Sequence, residues 1–364
     1  MPLMQFTLFM LFPKSERGFA MGLAGLVIQF APAIGPTLSG LVIDVTSWRM
    51  PFIIVVGVSL IGFIFGAIFI KSYNTTKDTK LDKRSVVYST LGFGMMLYAF
   101  SSAGNLGFGN PIVIISLVVS LLIIWVFIKR QFNISNPLLK LIVFKNRVFT
   151  LTTITSMIVM MSMVGPALLI PLYVQNALGL SAFLSGLVIM PGAIINGVMS
   201  IFTGKFYDKY GARPLIITGF SLLTIFSIML CFLKADTSYM YLIIVYALRM
   251  FSVSLLMMPL NTAGINALHK NEISHGTAIS NFGRVTAGSL GTALMVTVMS
   301  IGSKAYTQTT SAEENNDLLQ RQAIATGVDL SFLVISIFVV IGFILALFIK
   351  EHRDVNNANT RKVS

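Results

Sequence analysis

Apolar residues in this chain gather into long runs separated by short polar segments. The runs fall at about 18–43, 50–70, 85–103, 111–128, 148–173, 182–203, 215–233, 240–259, 277–300 and 329–349. Each approaches or exceeds the roughly 20 mainly apolar residues that carry an α-helix across a bilayer. The pattern therefore predicts an all-α polytopic membrane protein with about ten full spans. Ahead of them Met1 to Phe12 form an apolar stub too short to cross.

Basic residues sort the connections to two sides. Lys14 and Arg17 come before the first run; Lys71, Lys77, Lys80, Lys83 and Arg84 fill the segment 71–84. Lys129, Arg130, Lys140, Lys145 and Arg147 lie in 129–147, Lys205, Lys209 and Arg213 in 204–214, and Lys350, Arg353, Arg361 and Lys362 in the tail. These are alternate connections. The intervening ones are poor in positive charge: 104–110 and 175–180 have none. In 301–328, read as the longest outer loop, Glu313, Glu314 and Asp317 offset Lys304 and Arg321. Positive residues are retained on the cytoplasmic side, so the tail is expected there. On this topology Met1 falls near the bilayer centre, where a charged amine costs at least ~2.5 kcal/mol. The start is therefore expected to be the remnant of a helix from a longer protein; the alternative is an interfacial or folded-back stub.

Composition narrows the class. Hydrophobic residues make up 55% and charged residues 11% of the chain, far from the roughly 25% charge of soluble domains. The mean hydropathy is +0.84. A net charge of +13 in a soluble chain would suggest nucleic acid. Here the basic residues sit in short loops, so membrane topology accounts for them. Cys231 is the only cysteine, and His269, His275 and His352 form no ligand cluster with it, so no disulfide, cofactor or metal site is expected. An intramembrane enzyme is not supported either, because the spans hold no paired carboxylates and no histidine cluster.

Four stretches carry a resemblance. Gly22, Gly25, Ala31, Pro32, Gly35, Pro36 and Gly40 fall in the pattern of an antiporter motif of a fifth helix. Gly204, Asp208, Gly211, Arg213 and Pro214 are similar to the signature cytoplasmic loop of the major facilitator superfamily, in its C-terminal copy. Ile170 to Ser181 with Gly186, Pro191 and Gly192, and Gly276 to Arg284 leading to Gly288 and Gly291, complete the set. Together they resemble the fourteen-spanner drug:proton antiporters of that superfamily, the lincomycin-resistance-type exporters of Gram-positive bacteria in particular. The resemblance implies a major facilitator fold of two six-helix halves flanking two extra helices. It implies a bacterial multi-pass plasma-membrane protein whose partners are the bilayer, a lipophilic drug and protons, with no nucleic acid. On that plan 1–13 is a helix remnant and 14–70 the last two helices of the N-terminal half. The central pair is 71–128, the cytoplasmic linker 129–147, the C-terminal half 148–350 and the cytoplasmic tail 351–364. The family's first-helix acidic residue is then absent. Residues 1–364 alone are accordingly expected to insert without pumping, the alternative to export being a non-transporting membrane fragment.

The residues allow a physical reading beside the resemblance. Gly18, Gly22 and Gly25 share a helix face where small residues let helices approach closely. Pro32 and Pro36 remove backbone donors and bend the helix. The result is a kinked seam between halves or ordinary membrane packing. Asp208 is placed to meet a helix N-terminus across the 204–214 connection, as a gate or as a plain polar turn. Arg249 sits mid-span, where arginine is costly and faces a cavity or partner. Arg284 lies nearer an end, where snorkelling competes with function. Asn196, Asn261 and Asn281 either line the path or bridge helices. Met157, Met160, Met161, Met163, Met257 and Met258 suit a promiscuous cavity, but apolar filler facing lipid is the favoured reading.

The charge asymmetry predicts that a reporter fused after Ser364 fluoresces only if the C-terminus is cytoplasmic, and that it does so. Strong activity of an extracellular reporter at the same site would overturn the topology.

Overall fold

The computed structural model describes residues 45–69, 82–134, 137–269, 272–309 and 316–349, with scattered positions between 4 and 42. Nine helices among them are long and apolar enough to cross a membrane. They are α1 (Met50–Phe69), α2 (Lys83–Leu106), α3 (Pro111–Asn133), α4 (Arg147–Asn176), α5 (Ala182–Tyr210), α6 (Ala212–Met229), α7 (Tyr239–Asn266), α8 (Ile273–Thr309) and α9 (Asn316–Leu347). Nine of the ten expected spans thus coincide with a helix. The tenth, 18–43, is described in part, with residues 19–25 helical; Pro32, Pro36, Gly40 and Asp44 lie outside the described residues, as does the tail.

Local chemistry sets the helix starts. Asn110 accepts the Ile112 N–H at 2.9 Å, and Pro111 occupies the first helical position, where its missing N–H costs nothing. Asn146 accepts from Val148 and Phe149 at 3.0 and 3.1 Å and opens α4.

Three expectations need correction. The segment 301–328 is not a long loop: α8 continues to Thr309 and α9 starts at Asn316. Apolar runs end where side chains turn polar, whereas backbone bonding continues past the membrane core. As a result Asp329 is not at a helix end. It lies well inside α9 and accepts the Leu233 N–H at 2.7 Å. The connection 204–214 is likewise mostly helix, since α5 runs to Tyr210 and α6 begins at Ala212. Gly211 alone links them, at φ +85°, a left-handed value that glycine adopts without steric cost.

α4 to α9 form one packed body in which α4 meets α7, α8 and α9, and α7 meets α5 and α6. Close approach needs small residues. A Cβ on Gly291 would lie 2.8 Å from the Met161 carbonyl oxygen, and one on Gly327 2.3 Å from that of Met299. The α2–α3 pair joins this body through α8: the Phe93 and Phe282 rings stand 4.0 Å apart, and Thr297 donates to the Ala103 carbonyl at 3.2 Å. A polar clip fastens the other end of the pair. Arg130 donates to both oxygens of Asp82, at 2.7 and 3.0 Å, and Ser85 donates to the same carboxylate at 2.6 Å. The Arg130 guanidinium first, and then the Ser85 hydroxyl, hold the Asp82 carboxyl well below the usual carboxylate range. Gln131 extends the clip to Ser85 and to the Leu139 N–H in the linker. Helix α1 differs: its apolar side chains stay exposed along its length.

Arg249 of α7 is fully buried, and its position explains a flaw in α4. Pro166 lies inside α4 and has no N–H to give the carbonyl four residues back, at Ser162. The Arg249 Nη2 donates to that Ser162 carbonyl, and Nε donates to Ser227 Oγ of α6 at 3.2 Å. One guanidinium thereby supplies the donor that proline removed and ties α4, α6 and α7 together. Its Nη1 is buried with no hydrogen-bond partner among the described residues.

This arrangement predicts a double-mutant cycle. Arg249→Met is expected to destabilise the protein by about 1–3 kcal/mol, the cost of orphaning a buried carbonyl. In a Pro166→Ala background, where a backbone N–H can reach Ser162, the same change is expected to cost clearly less. Thermal unfolding in detergent or nanodiscs measures both; equal costs in the two backgrounds would refute the compensation.

Candidate functional site

A cavity of about 490 Å³ opens between the helical stretch 19–25 and helices α4, α5, α7 and α8. Helical spacing builds its wall. Ser254, Met257, Met258 and Asn261 of α7 follow three- and four-residue steps, and so do Ala278, Asn281, Phe282 and Val285 of α8. Met160 and Met163 of α4 and Asn196 and Ser200 of α5 add one turn each. Met21, Ala24 and Gly25 close the remaining side.

The wall is chiefly apolar, with polar groups at separate points. Four of the six methionines singled out from the sequence, Met160, Met163, Met257 and Met258, line it, so these four do not serve as lipid-facing filler. Their flexible thioethers suit ligands of varied shape. Arg284 is 8% exposed and also lines the cavity. Snorkelling does not describe it: α8 begins at Ile273, so Arg284 lies about three turns inside the helix. Its Nη2 donates to Asn281 Oδ1 at 2.6 Å, and Asn281 Nδ2 donates to the Thr277 carbonyl at 3.0 Å. Asn196 Oδ1 and Asn261 Oδ1 are buried with no protein partner among the described residues.

The structure therefore gathers Asn196, Asn261, Asn281, Arg284 and Gly25 at one site and leaves Arg249 off it, in the interhelical contact with Ser162 and Ser227. Gly35 stands apart, with no atom within 4 Å of where its Cβ would be. Ser200, Ser254 and Phe282 were not singled out from the sequence. Their four- and seven-residue spacing from Asn196, Asn261 and Ala278 was the available signal.

The seam residues meet α5. A Cβ on Gly22 would stand 2.7 Å from the Ser200 carbonyl oxygen, and Ser200 Oγ lies 2.8 Å from the Gly22 carbonyl, to which it donates. Below this contact, Arg17 donates to Asn266 Oδ1 at 2.9 Å, and Asn266 Nδ2 donates to Tyr207 Oη at 3.3 Å. Tyr207 precedes Asp208 in the last turn of α5, where Asp208 is half-buried and the Gly211 N–H closes onto the Tyr207 carbonyl at 2.8 Å. Arg213 is exposed at the start of α6. The motif end of α5, the end of α7 and the N-terminal stretch thus share one polar network. Among the described residues no group of His, Cys, Asp and Glu could hold a metal ion.

Comparison with known proteins agrees with this architecture. The model of the Major Facilitator Superfamily matches residues 1–292. The uncharacterized MFS-type transporter YcnB of Bacillus subtilis is 40% identical over 96% of this chain and 72% of its own length. The lincomycin resistance protein LmrB of Listeria innocua is 39% identical, covering 96% of this chain and 74% of its own. The probable multidrug resistance protein EmrY of Escherichia coli is 27% identical over 82% of this chain and 59% of its own. With a family model over most of its length and transporters, not enzymes, as relatives, this chain belongs to the Major Facilitator Superfamily of multi-pass membrane transporters.

Proposed function

We propose that the protein exports lipophilic small molecules, antibiotics among them, by proton antiport with alternating access. The single observation that carries this reading is the cavity. It is large, mainly apolar and flexible-walled, with a few polar groups at fixed points, which is the make-up of a small-molecule site. It lies where the 19–25 stretch meets the C-terminal helices, the kind of boundary about which two transporter halves rock. The names of the relatives support drugs as the substrate class.

The seam would serve as the gate on the cytoplasmic side. Ser200 against Gly22 and the Arg17–Asn266–Tyr207 chain bind one side of the cavity to the other at one end. Opening that end breaks those bonds, so the closed state is favoured by their sum and ligand binding need supply only the difference between states. Asp208, at the end of α5 beside the start of α6, would bias the same equilibrium through the helix dipole. A cytoplasmic tail places Tyr207 to Arg213 on the cytoplasmic side, in line with the basic connections. Export is preferred to an inert fragment because every residue of the cavity wall is present in this chain.

Expressed in a pump-deficient bacterial host, residues 1–364 are expected to lower the accumulation of a lipophilic dye and of a lincosamide relative to empty vector. A proton uncoupler is expected to abolish the difference. No uncoupler-sensitive export at verified membrane abundance would leave the fragment reading instead. In the same assay Asp208→Asn is expected to preserve abundance and reduce export several-fold; wild-type export would make the α5–α6 junction a plain turn.

A further inference from the structure

The cavity contains one cation and no described counter-charge. Arg284 is guanidinium at all accessible pH values and has five N–H donors. Its only hydrogen bond to a described residue is the one from Nη2 to Asn281 Oδ1, at 2.6 Å. The ion pairs among the described residues, Asp82 with Arg130 and Asp317 with Arg321, lie elsewhere. The lining segments 21–25, 160–163, 196–200, 254–261 and 278–285 contain no Asp or Glu, and neither does the whole apolar run 18–43. A charge so far removed from water is costly unless something pairs with it. Asn281 neutralises nothing; it fixes the plane of the guanidinium and leaves the remaining donors to other partners.

We infer that the site selects amphiphiles with an anionic head, a carboxylate or sulfonate, which pairs with Arg284 while an apolar body rests on Met160, Met163, Met257 and Phe282. A planar carboxylate matches the fork of the guanidinium in two parallel hydrogen bonds, which a neutral amide cannot do with charge. The methionine wall sets no demanding shape on the body, so the head group provides most of the discrimination. Asn281 acts here as a positioning residue. This inference rests on the cavity being the substrate site, and it narrows the lipophilic class to acids.

Purified protein of residues 1–364 in lipid nanodiscs tests it by binding alone, without transport. The probes are pyrenebutyrate, its neutral amide pyrenebutanamide and the cationic pyrenebutylamine, titrated near neutral pH by fluorescence anisotropy with empty nanodiscs subtracted. The carboxylate is expected to bind about tenfold more tightly than the amide or better, and the amine more weakly than either. R284Q is expected to bring the carboxylate to the affinity of the amide, and R284K to retain part of the advantage through charge without the fork. If R284Q fails to fold, the wild-type ranking and R284K still decide. Measurable binding with no carboxylate advantage, or an advantage undiminished in R284Q, would overturn the inference and leave the export reading standing. Binding of none of the three by folded protein would overturn both.

Discussion

Hydrocarbon offers no partner to a peptide N–H or C=O, and the architecture of this protein follows from that constraint. Each apolar run closes its backbone bonds within itself as a helix, and exceptions need a donor from elsewhere. Pro166 creates such an exception in α4, and Arg249 answers it by donating to Ser162. A residue whose charge and depth suggest transport is thereby engaged in holding three helices at a kinked point. The same constraint separates Arg249 from Arg284. One guanidinium is enclosed by helix backbone and hydroxyl groups; the other borders an open volume and has a single amide for company.

Where no hydrophobic force distinguishes a neighbouring helix from lipid, contact depends on how closely backbones approach. Glycine and serine mark those places here. Gly291 fits under Met161, Gly327 under Met299, and Gly22 under Ser200. The first two lie within the packed body of α4 to α9, whereas the third lies at the edge of the cavity and is joined to the Arg17–Asn266–Tyr207 chain. The contact that closes one end of the cavity is thus small-residue packing reinforced by hydroxyl and amide bonds, each worth about 1 kcal/mol. That is strong enough to hold one state and weak enough to be exchanged for another.

The central pair α2–α3 belongs mechanically to the C-terminal body. Phe93 against Phe282 and Thr297 against Ala103 fasten it to α8, the helix that also carries Arg284. The Asp82–Arg130 clip, extended through Gln131 to the linker, holds its other end. Helices that share so many contacts move together, so a rearrangement at the cavity involves the pair as part of α8's surroundings.

The spans, their number and the division of basic residues between connections were written in the sequence, because the length of an apolar run and the cost of moving charge across lipid act on each segment by itself. The helical steps of Ser254 to Asn261 and Ala278 to Val285 were legible for the same reason: one helix fixes its own faces. Helix ends were not. α8 and α9 outrun their apolar cores, and Tyr210 closes α5 only because Gly211 can turn, so the 301–328 and 204–214 segments proved mostly helical. The fates of the two arginines and of the methionines were decided by the tertiary structure alone. A side chain's depth and residue type state what it needs, a donor's acceptor or an anion's company. Which helix stands opposite determines whether that need is met by a proline-orphaned carbonyl, as for Arg249, or left open to a cavity, as for Arg284.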